Sequence, residues 1–73
     1  MTSHVYKGVT IAGTSDQSFS HAIEAAIERA KQTIRELRWF EVKEQRGAIR
    51  DGKVEYQVSL EVFFRLLDDD SGE

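Results

Sequence analysis

VEYQVSLEVFFRLL, Val54 to Leu67, decides the fold. Its even positions, Val54, Tyr56, Val58, Leu60, Val62, Phe64 and Leu66, are apolar without a break. Successive side chains of a β-strand point to opposite faces, so this alternation predicts one long strand with a single face in a core. The odd positions are Glu55, Gln57, Ser59, Glu61, Phe63, Arg65 and Leu67. A purely solvated face has no use for Phe63, and a core face would not take Gln57 and Arg65. The odd face is therefore expected to meet something.

Upstream, Asp51-Gly52 is a strong two-residue hairpin signal, and Phe40 and Val42 begin the partner strand. A two-residue loop sets Arg50 against Lys53 and Ile49 against Val54. Phe40 and Val42, however, must share a face with Leu60 and Val62, so the two ends of the hairpin disagree by one residue. A β-bulge near Arg46-Gly47 reconciles them, as does a three-residue loop. With the bulge, Gln45 and Arg46 both stand opposite Gln57, and Trp39 faces Phe63 on the odd side.

Farther upstream, Phe19, Ala22, Ile23, Ala26, Ile27, Ala30, Ile34 and Leu37 form one helical stripe. Its alanines let the helix sit close to a sheet. Thr14, Ser15, Asp16 and Ser18 are all candidate caps, and Thr14 with Gln17 has capping-box spacing. Glu24 and Glu28 precede Arg29, Lys31, Arg35 and Arg38, an order that suits the helix dipole. Trp39 is expected directly after the helix. Val5 to Ala12 predicts the first strand, with Val5, Val9 and Ile11 on one side, Tyr6, Gly8 and Thr10 on the other, and Lys7 interrupting the apolar side. Gly13 is read as the exit from that strand, and Asp68 to Glu73 as a frayed acidic tail.

The predicted fold class is α+β, in the order β-α-β-β, with one helix on one face of a three-stranded antiparallel sheet. The 73 residues are read as a single domain, close to the lower limit for a self-sufficient core. Cysteine is absent, which excludes disulfides and thiolate metal sites. His4 and His21 lie far apart, so no metal is expected. Self-assembly is the remaining support, and an open sheet face bearing Trp39 and Phe63 favours it.

The net charge of −3 argues against phosphate-backbone binding of nucleic acid. No apolar run approaches the roughly 18 residues of a membrane span. MTSHVYKG lacks a signal-peptide pattern, and a cytoplasmic location is expected.

No catalytic set assembles. Ser15, Ser18 and Ser20 are explained by capping, His21 has no orienting acid at a motif spacing, and no Gly-rich phosphate loop or metalloprotease pattern occurs. Enzyme activity is not expected. Trp39 reads either as a core or interface residue or as a platform for a planar ligand. Gln57 reads either as a solvated strand residue or as a partner for a heterocycle's edge, since its amide carries donor and acceptor together. Arg46 and Arg65 suit a phosphate, or cross-strand pairing with Glu44, Glu55 or Glu61.

VYKGVTIAGTS, AIEAAIERAKQTIRELRWFEV, EQRG and EYQVSLEVFFRL, at these separations, resemble the dodecins, small flavin-binding proteins, and the bacterial branch of that family in particular. The resemblance implies a sheet that partly wraps the helix, and a hollow homododecamer of cubic symmetry built from trimers. It implies flavin, FMN or riboflavin, bound in pairs at two-fold contacts for storage and quenching. Trp39 would then stack on the isoalloxazine, Gln57 would bond its polar edge, and Arg46 and Arg65 would approach the phosphate or neighbouring polar groups. Coenzyme A near the three-fold contacts would draw on Lys7, Arg29, Thr33 and Arg35. Phe63 departs from the glycine usual there. The alternative it raises is a structural hollow oligomer with weak or no flavin binding, with coenzyme A as its ligand.

Overall fold

The computed structural model describes residues 3–67. The elements run β1 (Tyr6–Ser15), α1 (Phe19–Ala30), β2 (Leu37–Arg50) and β3 (Lys53–Arg65). They form an antiparallel sheet in the order β1-β3-β2, with α1 packed mainly against β1 and β3. The β-α-β-β architecture expected from the sequence is the architecture observed. The expected acidic tail, Asp68 to Glu73, lies outside the described residues.

β3 is the central strand, which explains its unbroken alternation: it is the one strand paired on both edges. Val58, Leu60 and Val62 are buried and meet Ala22 and Ala26 of α1. The apolar face is buried only in this middle stretch. Val54 lies toward the hairpin tip and Leu66 beyond the strand, and both are exposed. β1 is longer than predicted, because Gly13 continues the strand beneath the helix instead of ending it. A Cβ on Gly13 would run into the carbonyl oxygen of Ala22 and come within 2.9 Å of the Ala26 methyl. Glycine against alanine is what lets helix and sheet approach so closely.

Ser18 caps α1, its extended backbone aiming Oγ to accept from His21 N at 3.0 Å. Thr14 lies in β1, so the Thr14–Gln17 capping box does not form. Ser15 instead accepts from Gln17 N at 2.9 Å and bonds His21 Nδ1 at 2.9 Å.

The helix ends at Ala30, well before Leu37. Thr33 and Ile34 both bond back to the Ala30 carbonyl, and Glu36 adopts a left-handed φ of 63°, turning the chain into β2. Ile34 and Leu37 still pack on the core, so the helical spacing survives without the helix. Among the basic residues expected in the helix's second half, Arg29 lies in its last turn and Lys31 caps it, while Arg35 and Arg38 lie beyond. Trp39 is accordingly the third residue of β2 and does not adjoin the helix.

The hairpin has the two-residue turn, with φ of 52° at Asp51 and 74° at Gly52, the left-handed pair that matches strand twist. The register shift falls between Val42 and Glu44, at Lys43, and a second irregularity falls at Arg38. The bulge expected at Arg46-Gly47 is therefore displaced toward Trp39. Glu41 and Glu61 stand directly opposite each other, a repulsive pairing, and the Lys43 ammonium lies 3.1 Å from one and 3.3 Å from the other.

Candidate functional site

The face of the sheet away from α1 carries two groups of side chains, one toward each end. At one end Trp39 stands across from Phe63, as the sequence predicts. Their rings are stacked, centroids 4.6 Å apart and planes inclined by 13°. Tyr6 reaches over from β1 and meets the indole edge-on, at 5.0 Å and 65°. Trp39 is nevertheless 41% exposed. One indole face is covered by Phe63, and Tyr6 packs against the same ring with its plane steeply inclined. Arg65 stands across from Tyr6, its backbone N–H bonded to the Glu36 carbonyl, and its buried Nε has no partner among the described residues.

At the other end Arg46 stands opposite Gln57, and Gln45 opposite Val58; the two do not share Gln57 as expected, because the bulge lies at Lys43. Arg46 Nε donates to Gln57 Oε1 at 2.7 Å, and Gln57 Nε2 donates to Glu55 Oε1 at 2.9 Å. Arg50 Nε donates to the same Glu55 oxygen at 3.1 Å. This chain fixes the amide orientation: a guanidinium only donates, so it demands the oxygen, while an ionised carboxylate only accepts, so it demands the nitrogen. Among the described residues, Gln57 keeps one N–H and one lone pair without a partner. The hydrogen bond from Gln57 is the main cause holding the Glu55 carboxyl below the ordinary 4.5; burial opposes it and Arg50 assists. A cavity of about 320 Å³ lies here, bordered by Thr14, Glu44, Arg46, Gln57 and Ser59 among others.

Between the two groups lies the Glu41–Lys43–Glu61 cluster, whose hydrogen bonds raise the Lys43 pKa above 10.5. Neither Arg46 nor Arg65 pairs with Glu44, Glu55 or Glu61; Arg50 takes Glu55 and Lys43 takes Glu61. Tyr6, Lys43 and Glu55 were not singled out as site residues by the sequence. Tyr6 was visible as an outward position of β1, but nothing local told that it reaches across β3.

The remaining candidates lie elsewhere. Arg29 lies in the last turn of α1, Thr33 and Arg35 in the connection between α1 and β2, and Lys7 sits on β1 across from Phe64, on the helix side of the sheet. No group of three or more His, Asp or Glu side chains among the described residues is arranged to hold a metal ion. No helix among them is long and apolar enough to cross a membrane.

A small open sheet, backed by one helix and bearing aromatic and hydrogen-bonding groups on its free face, is a binding module. The chain belongs to the dodecin family: the family model described as Dodecin matches residues 5–67. The chain is 57% identical over 63 residues to the dodecin of Thermus thermophilus, covering 85% of this chain and 91% of that protein. A crystal structure of that dodecin carrying a tryptophan-to-phenylalanine replacement superposes with a TM-score of 0.84 at 52% identity, covering 90% of this chain and all of the other. Arginine-to-alanine variants of the same dodecin match comparably. The calcium dodecin of Mycobacterium tuberculosis is 38% identical over 63 residues, 85% of this chain and 89% of that protein.

Proposed function

We propose that this chain is the subunit of a homododecameric, cytoplasmic flavin store, which sequesters FMN or riboflavin and quenches its photoreactivity without turnover. The observation that carries the reading is an exposed indole face with a solvent-facing, oriented glutamine amide on the same sheet surface. An aromatic face suits an isoalloxazine, and the spare N–H and lone pair of Gln57 suit its alternating donor and acceptor edge. Arg46 and Arg65, free of carboxylate partners among the described residues, suit a phosphate. A stacked flavin supplies a photoexcitable ring in contact with an electron-rich indole, which returns it to the ground state.

Self-assembly has independent support. The radius of gyration is 15.5 Å, against about 11 Å for a compact domain of this length. Phe40, Val42 and Ile49 lie exposed on the helix side of β2, where α1 provides little cover. In the Thermus thermophilus dodecin, the altered tryptophan and one altered arginine are separated by as many residues as Trp39 and Arg46 here, which favours treating that pair as functional.

Coenzyme A is the second ligand in this reading. Its support is that Lys7, Arg29 and Arg35 make no ion pair among the described residues, leaving three cations for a phosphate-rich molecule. Titration of FMN fluorescence, with the mass of the assembly measured alongside, tests the flavin store; calorimetry with coenzyme A tests the second ligand.

A further inference from the structure

We propose that Phe63 is the back plate that positions Trp39, so that a planar heteroaromatic ligand stacks only on the indole face turned away from Phe63. This deepens the flavin reading and rests on it for the ligand, though not for the geometry. Phe63 is less exposed than Trp39 and lies nearly parallel to it, 4.6 Å away. On its other side is Gly8, its cross-strand neighbour on β1. A Cβ at Gly8 would lie 2.7 Å from Phe63 Cε2 and 2.6 Å from Glu61 Oε2. The ring thus fills the space above a glycine, between β1 and the indole. Tyr6 packs on the same indole, centroids 5.0 Å apart and planes inclined by 65°. Held by two neighbouring rings, the indole keeps one orientation, and a ligand meets a ring already ordered.

The same contacts define specificity. A ligand cannot enter between Phe63 and Trp39 without breaking the stack, so each indole offers one stacking surface, not two. Rings that are flat and electron-poor are favoured there, because an indole backed by a second aromatic ring presents an electron-rich face.

The test compares wild type, Phe63→Gly, Phe63→Tyr and Gly8→Ala, measuring FMN affinity and acrylamide access to Trp39. Trp39 is the chain's one tryptophan, so its emission reports this ring alone. Phe63→Gly should weaken FMN roughly 2- to 10-fold, the worth of one stacked aromatic pair, and should open Trp39 to acrylamide. Phe63→Tyr should restore both. Gly8→Ala should disturb Trp39 when Phe63 is present and leave it unchanged in the Phe63→Gly background, since the two act through one ring. Equal or tighter FMN binding by a normally assembled Phe63→Gly protein overturns the proposal, because the ring would then be an obstruction. Wild-type protein that ignores FMN refutes the flavin reading alone; unchanged acrylamide access in Phe63→Gly refutes the back plate whatever FMN does.

Discussion

Trp39 and Gln57 share one sheet face but lie far apart along it. Trp39 faces Phe63, six residues along β3 from Gln57, which is roughly 20 Å at the rise of a strand. That span exceeds the length of a fused three-ring heterocycle. At that spacing, a flavin stacked on one chain's indole is expected to meet the Gln57 amide of a neighbouring subunit. The expected outcome is complementation. Trp39→Ala and Gln57→Ala assemblies should each bind FMN poorly, and mixed assemblies refolded from both chains should regain part of the binding. No recovery in verified mixed assemblies would place both residues' roles within one chain or outside the site.

The hydrogen-bonded chain through Gln57 gives a pH dependence with a definite sign. The folded-state pKa of Glu55 lies below its ordinary 4.5, so its contribution to stability is fully present above that value and is lost as pH falls through the depressed one. The wild-type melting temperature should consequently drop more between pH 5 and acid conditions, below about pH 4, than that of Glu55→Gln. Carboxyl-carbon NMR of Gln57→Ala should find Glu55 titrating closer to 4.5, since the Gln57 bond is the main cause of the shift.

Gly13→Ala should be among the costlier small substitutions. Its methyl would press on the Ala22 carbonyl and lie 2.9 Å from the Ala26 methyl. Neither backbone nor packed methyl gives way easily, so about 1–3 kcal/mol of stability should be lost in denaturant unfolding. Ala at Gly47, where the nearest atom would be 3.5 Å away, is the matched control and should cost less.

Glu36 holds a left-handed φ of 63° with an L side chain, a conformation that costs roughly 1–2 kcal/mol. Its ion pair with Arg38 is exposed and contributes little. Glu36→Gly should be neutral or stabilising in chemical denaturation, while Glu36→Val, β-branched at positive φ, should destabilise. Equal effects of the two would mean that the turn is not conformationally demanding.

Sheet and hairpin were legible because their signals are local. The alternation of Val54 to Leu67 marks the central strand, and Asp51-Gly52 marks the turn. Parity required a bulge or a three-residue loop, and with the bulge it paired Trp39 with Phe63. The bulge's position did not follow, because parity shows that the two ends of the hairpin disagree by one residue without saying where the extra residue lies. The end of α1 was hidden for another reason: Ile34 and Leu37 keep helical spacing while reaching the core from a turn and a strand. The pairing of Arg46 with Gln57 was visible, but Tyr6 against Trp39 was not, since that contact crosses an intervening strand.

The central claim is that this chain takes a flavin on Trp39. Titrating the assembled protein into dilute FMN while following flavin emission tests it most directly. Strong, saturable quenching by wild type, lost in Trp39→Ala at unchanged assembly mass, is the predicted result. Flavin emission that wild-type protein leaves unaltered, or quenching that survives Trp39→Ala in full, would contradict it.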